Sequence, residues 1–120
     1  QIDLLSSLGS LVRARFPKGS APDSRDYLST LLGTDTKGRD YVIGQSNTHV
    51  LSVLTSQYRY IEPSNGPKMI QWGPKIETGN LPVPQLYDMT TSLYESNNIA
   101  AEHPEEVSRL QEILKNERSK

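Results

Sequence analysis

The sequence has no cysteine, only two histidines, and a single tryptophan and phenylalanine among its 120 residues. The missing thiols exclude disulfides and cysteine-ligated metals. They leave the compartment open, because many periplasmic and secreted proteins also lack cysteine. No apolar run approaches the ~20 residues that a membrane-spanning helix needs, so no membrane partner is expected. An excess of charge is missing too: 13 basic residues against 14 acidic ones leave a formal net charge of -1. Nucleic acid calls for a basic surface, and no nucleic-acid partner is expected either. There is no Gly-rich phosphate loop, no paired-histidine metal motif and no G-x-S-x-G elbow. Hydrophobic residues make up 34% of the chain and its mean hydropathy is -0.58, low for a domain that completes its own core. The length is that of one domain. The chain opens on Gln-Ile-Asp, without an initiator Met or a signal peptide, and reads as a piece of a longer sequence.

What is present centres on His49 to Glu62, HVLSVLTSQYRYIE. Val50–Leu54 and Tyr58–Ile61 are β-prone runs whose residues fit a pleated, half-buried surface, and the polar break between them reads as a hairpin. That break, Thr55-Ser56-Gln57, lacks the Asn-Gly or Asp-Gly of the tightest turns. Tyr41–Ile43 upstream and Gln85–Met89 downstream add two further runs. The expected fold class is α+β: a small four-stranded, mostly antiparallel sheet packed with a C-terminal helix, plus N-terminal helices.

The helical signals lie at the two ends. Asp3 is placed to cap a helix over Leu4–Val12, with Leu4, Leu8, Leu11 and Val12 at helical spacing. Gly9 inside it costs ~1 kcal/mol relative to alanine, and Arg13 and Arg15 suit its negative end. A second helix is expected over Arg25–Leu32, capped by Asp23 or Ser24, burying Tyr27, Leu28, Leu31 and Leu32 and stopped by Gly33. The last helix begins at Pro104, a residue suited to the first helical position. Glu105 and Glu106 meet its positive end, Val107, Leu110, Ile113 and Leu114 form one stripe, and Lys115 and Arg118 lie near its negative end. Between sheet and helix, Pro63–Pro84 holds five of the eight prolines and three glycines, a loop long enough to be functional or disordered. Met69, Ile70 and Trp72 are expected to dock or to form a short extra strand, and Leu93, Tyr94, Ile99 and Ala100 to anchor the later loop.

Candidate chemistry is sparse. Gln45-Ser46-Asn47-Thr48-His49 gathers donors and acceptors between two strands, suited to a sugar or an anion, although an ordinary solvated loop has the same composition. Arg59 alternates away from Tyr58 and Tyr60, either to bind an anion or to stand as a surface cation. His103 is a helix-capping or surface residue. Glu77 is a carboxylate without an evident acid–base partner. Trp72 suits stacking on a sugar ring and, equally, anchoring its loop.

The order of these pieces carries a resemblance. A Leu-rich helix after Asp3 is followed by Asp23-Ser24, a Leu-Leu-Gly helix end, Gly38-Arg39-Asp40-Tyr41-Val42 and Gln45-Ser46. The strand pair then ends in Tyr58-Arg59-Tyr60-Ile61-Glu62-Pro63. Glu77-Thr78-Gly79-Asn80, Gln85-Leu86-Tyr87-Asp88, Asn97-Asn98-Ile99-Ala100 and His103-Pro104-Glu105 complete the series. Nearly the whole chain resembles the C-terminal part of an arylsulfatase-type enzyme of the kind bacteria use on sulfated polysaccharides. Leu-Tyr-Asp, then Asn-x-Ala and a Pro-started helix, is its most specific part. The chain departs at the hairpin, where such sulfatases carry an arginine, a Gly-containing turn and Trp-Lys. Leu54, Ser56, Tyr58 and Arg59 hold those places here.

The resemblance implies that residues 1–33 border a catalytic domain and that residues 34–120 are the C-terminal α+β subdomain. It implies a partner, the N-terminal catalytic domain of the same chain, carrying formylglycine (from a Cys/Ser-x-Pro-x-Arg motif) and calcium. No such motif occurs in these 120 residues, so this piece alone is expected to be inactive and to hold no cofactor. The parent is expected to hydrolyse sulfate esters of glycans, in the periplasm or outside the cell. Gln45, Asn47, His49, Trp72 and Glu77 are the expected contacts to a sulfated sugar. The Leu4–Val12 helix is expected to show an apolar surface, as interface elements do. The contrasting reading is a stand-alone carbohydrate-binding or interaction module.

Overall fold

A computed structural model describes residues 2–119. The chain divides into two compact units, one ending at Arg39 and the other beginning at Asp40.

The first unit is built on α1 (Leu4–Leu11). Asp3 stands at its N-cap position without making a side-chain cap bond. Its carboxylate is taken instead by Arg39, whose Nε and Nη2 donate to its two oxygens at 2.6 and 2.5 Å, and by the Arg25 amide at 2.8 Å. A bidentate guanidinium–carboxylate pair outcompetes a single capping bond. The helix ends in a Schellman arrangement: Ala14 N–H donates to the Gly9 carbonyl at 2.8 Å and Arg13 N–H to Ser10 at 3.1 Å. Arg13 therefore takes the left-handed φ of 56° usual for glycine and lies beyond the last helical turn it was expected to charge.

α1 buries Ser7 and Gly9, while Leu4, Leu5, Leu8, Leu11 and Val12 are exposed, Val12 at 71%. The apolar surface anticipated for this helix is present. The second helix is far shorter than expected: α2 covers only Leu28–Leu31 and buries nothing. The reason lies upstream. Ser24, Arg25 and Tyr27 are tied to α1 and its N-cap: Ser6 N–H donates to Ser24 Oγ at 3.0 Å, Arg25 N–H to Asp3 Oδ1 at 2.8 Å and Tyr27 N–H to Ser7 Oγ at 2.9 Å. Neither Asp23 nor Ser24 caps α2. Asp26 accepts the Leu28 amide at 2.9 Å, Leu31 and Leu32 are exposed at 53% and 61%, and Gly33 leaves the helix with φ 73° as its residue type foretells.

The second unit is an antiparallel meander of four strands followed by a helix. β1 (Tyr41–Gln45), β2 (Leu51–Thr55), β3 (Tyr58–Ile61) and β4 (Gln85–Asp88) lie side by side in chain order. Every pairing is antiparallel, with Ile43 opposite Val53, Val53 opposite Tyr60 and Tyr60 opposite Leu86. That row faces α3 (Pro104–Arg118). Val53, Tyr60 and Leu86 form the core with Val107, Leu110 and Leu114 of the helix, and Tyr41, Ile43, Leu51, Ile99, Ala100 and Ile113 pack around them. Each large side chain buried there contributes roughly 1.5–3 kcal/mol. The fold is α+β, as the sequence pattern implied.

Two devices complete the sheet. At the β2–β3 turn, the Thr55 hydroxyl accepts the amides of Gln57 and Tyr58 at 3.3 and 2.9 Å, a local substitute for Asn-Gly chemistry. On the outer edge of β4, Asn98 Oδ1 accepts the Leu86 amide at 3.0 Å and Ile99 N–H donates to the Leu86 carbonyl at 2.9 Å. An open strand edge is thereby closed. Leu93 and Tyr94, expected as anchors, are both 82% exposed, whereas Ile99 and Ala100 do anchor. His103 occupies the N-cap position of α3 without a side-chain cap bond, and its ring lies 6.3 Å from that of Tyr58.

Candidate functional site

Side chains alternate across a strand, so the residues next to the core row point to the other face of the sheet. Ser52, Arg59, Ile61, Gln85 and Tyr87 emerge there. The Pro63–Pro84 loop folds back over this face. Its middle is a narrow ladder in which Met69 bridges Glu77, Ile70 N–H donates to Ile76 O at 2.9 Å and Thr78 N–H donates to Lys68 O at 2.9 Å. Between loop and sheet lies a cleft of about 750 Å³, within the ~300–1,000 Å³ usual for ligand sites.

The floor is a fixed polar network. Tyr87 Oη donates to Gln85 Oε1 at 2.8 Å, and Gln85 Nε2 donates to the Gly79 carbonyl at 2.9 Å. Asn80 Nδ2 donates to the Pro67 carbonyl at 3.0 Å. Tyr87, Gln85 and Asn80 are 7%, 2% and 3% exposed, and such groups persist in an interior only when paired. Burial raises the Tyr87 phenol above its ordinary 10.0. Gly66 is required by close approach: a Cβ there would stand 2.6 Å from Asn80 Nδ2. On the wall, Arg59 pairs with Glu95 at 2.5 Å, with Lys68 and Glu77 also lining the space.

Of the residues singled out from sequence, Gln45 and Glu77 both line this cleft, while Asn47, His49 and Trp72 do not. Asn47 and His49 sit in the β1–β2 turn. His49 N–H donates to Ser46 O at 3.0 Å and Ser46 N–H to Val50 O at 2.9 Å, and His49 takes φ 65°. This is a tight turn closed by a left-handed residue, a position glycine usually fills. Trp72 is at the far end of the ladder, 77% exposed, and is not docked as a loop anchor.

Asn80, Gln85 and Tyr87 escaped the sequence reading as site residues. The two-residue spacing of Gln85 and Tyr87 around Leu86 was the available sign that both leave the core face. Arg59 is more than a strand cation, since it forms part of the cleft wall. Among the described residues no group of three or more His, Cys, Asp or Glu could hold a metal ion. No helix among them is long and apolar enough to cross a membrane.

The chain is similar to the C-terminal region of sulfatases. The chain is 43% identical over 114 residues to an N-acetylgalactosamine-6-O-sulfatase of Bacteroides thetaiotaomicron, a match covering 95% of this chain and 22% of that protein. It also superimposes on a solved sulfatase studied for the metabolism of multiple glycosaminoglycans by Bacteroides thetaiotaomicron. That match has a TM-score of 0.92 and 39% identity, covering 98% of this chain and 24% of the other. No protein-family model matches the chain. The chain thus spans 22% of the length of the curated relative it matches, and the resemblance read from its motifs is borne out.

Proposed function

We propose that this chain is the C-terminal subdomain of an enzyme that hydrolyses sulfate esters of glycans, with 6-O-sulfated N-acetylgalactosamine as the favoured substrate. The observation that carries the reading is the 43% identity sustained over 114 residues, too extensive for a shared fold alone. Nucleophile and metal belong to an N-terminal catalytic domain of the same polypeptide, where formylglycine would supply the attacking oxygen and calcium would offset the charge on the sulfate. The exposed leucines of α1 support residues 1–33 as the segment bordering that domain, with residues 34–120 as the subdomain proper, because a continuous apolar surface marks an interface.

In this reading Gln45, Asn47, His49, Trp72 and Glu77 offer hydrogen bonds and a stacking surface to the sulfated sugar. The enzyme acts in the periplasm or outside the cell. The chain by itself has no sulfatase activity. Reading the gene upstream of the first codon tests the proposal. A Cys/Ser-x-Pro-x-Arg motif in the same open reading frame supports it. A start codon directly before the chain, with no such motif, overturns it in favour of a stand-alone carbohydrate-binding module.

A further inference from the structure

We infer that the cleft on the outer face of the sheet seats an uncharged sugar ring of the glycan, held through its hydroxyl groups, rather than the sulfate. The inference rests on the proposed function for its choice of a carbohydrate among neutral polar ligands. The cleft's charge balance carries the rest. Arg59 and Lys68 on its wall are matched by Glu77 and Glu95, with Arg59 and Glu95 in contact at 2.5 Å.

A sulfate only accepts hydrogen bonds and is held best where cationic donors outnumber carboxylates. In this cleft it would face two acidic side chains beside the two basic ones. A sugar hydroxyl both donates and accepts, so neighbouring cations and carboxylates suit it equally. Ile61, Met69 and Leu81 add apolar patches to the lining for the C–H faces of a ring. The floor is already ordered by Tyr87, Gln85 and Asn80, whose polar groups are bonded within the protein. A ligand therefore finds its site formed beforehand, which lowers the cost of binding.

Titration of the 120-residue chain, followed by amide NMR shifts, tests this with N-acetylgalactosamine and its 6-O-sulfate as probes. The inference expects both sugars to shift the amides around Ser52, Arg59 and Lys68, with dissociation constants within about threefold of each other. Lys68→Ala and Glu77→Ala, both at exposed positions, should each weaken both sugars by about three- to tenfold. A sulfated sugar binding more than about tenfold tighter than the plain one overturns the inference, as do shifts confined to other surfaces or no binding by either probe. Sulfate release by the complete gene product separates the two readings. Release without sugar binding in the cleft removes this inference and leaves the sulfatase standing. Sugar binding without release removes the sulfatase and leaves the cleft.

Discussion

The ring of Phe16 occupies the space that a side chain on Gly9 would need: a Cβ built there stands 2.2 Å from Phe16 Cε2 and 2.4 Å from Cζ. The glycine that weakens α1 by propensity is the one that lets the chain fold back beside it. The two effects are similar in size. Alanine adds ~1 kcal/mol to the helix, while displacing the half-exposed Phe16 ring forfeits roughly 1–1.5 kcal/mol of burial. Gly9→Ala should therefore change stability by less than about 1 kcal/mol, but should stabilise a Phe16→Ala background by ~1 kcal/mol. Urea midpoints of the four proteins measure this coupling, and equal effects of Gly9→Ala in both backgrounds would show that Phe16 does not restrain Gly9.

Asn98 gives a physical meaning to the Asn-x-Ala element of the resemblance. Its Oδ1 accepts the Leu86 and Ala100 amides at 3.0 and 3.1 Å, and its Nδ2 donates to the Pro84 carbonyl at 3.1 Å. Asn98→Leu leaves the Leu86 amide at the strand edge without its partner and should cost about 1–3 kcal/mol. Amide exchange at Leu86 should accelerate ahead of the core. Unchanged exchange there would contradict the role.

Arg39 holds the Asp3 carboxyl down, from an ordinary 3.8 to about 2, with the Arg25 amide adding to it. A carboxyl with a lowered folded pKa contributes stability that is complete above its unfolded value and is lost as pH falls through its folded one. The ion pair is partly solvated, with side chains 14% and 20% exposed, so its contribution after screening is about 1–2 kcal/mol. Wild type should exceed Asp3→Asn by that amount at neutral pH. The gap should narrow below 3.8 and close near 2. Denaturation midpoints across that range check it, and a gap independent of pH would assign the difference to something other than the carboxylate charge.

His49 holds a left-handed φ of 65° in a turn that glycine would satisfy without strain. Relief of that strain is worth about 1–2 kcal/mol, and the extra freedom of glycine in the unfolded chain returns about 0.4–1 kcal/mol. His49→Gly should therefore raise stability by about 0.5–1 kcal/mol. In the complete gene product the same change should raise KM for a sulfated sugar if the imidazole contacts it. A more stable protein with unaltered KM would reduce His49 to a turn residue.

Local chemistry made the sheet and α3 legible. Tyr58–Ile61 is strand β3 as its alternation says, and Val107, Leu110 and Leu114 are buried as their stripe requires. α2 was overextended because the bonds that pull Ser24, Arg25 and Tyr27 onto α1 come from Ser6, Ser7 and Asp3, far away in sequence. The cleft was half legible for the same reason. Gln45 and Glu77 stand out in the sequence as candidate sugar contacts, but only the fold-back of the loop brings them to one space. That fold-back depends on Asn80 reaching Pro67, a contact no periodicity announces. Leu93 and Tyr94 show the converse, since apolar and aromatic character suggests anchoring and both side chains stand in solvent.

Release of inorganic sulfate distinguishes a subdomain of a sulfate-ester hydrolase from a stand-alone binding module. The complete gene product should liberate sulfate from N-acetylgalactosamine 6-O-sulfate, and the 120-residue chain alone should liberate none. A folded complete product that releases no sulfate from that sugar or from other sulfated glycosaminoglycan saccharides would contradict the hydrolase reading.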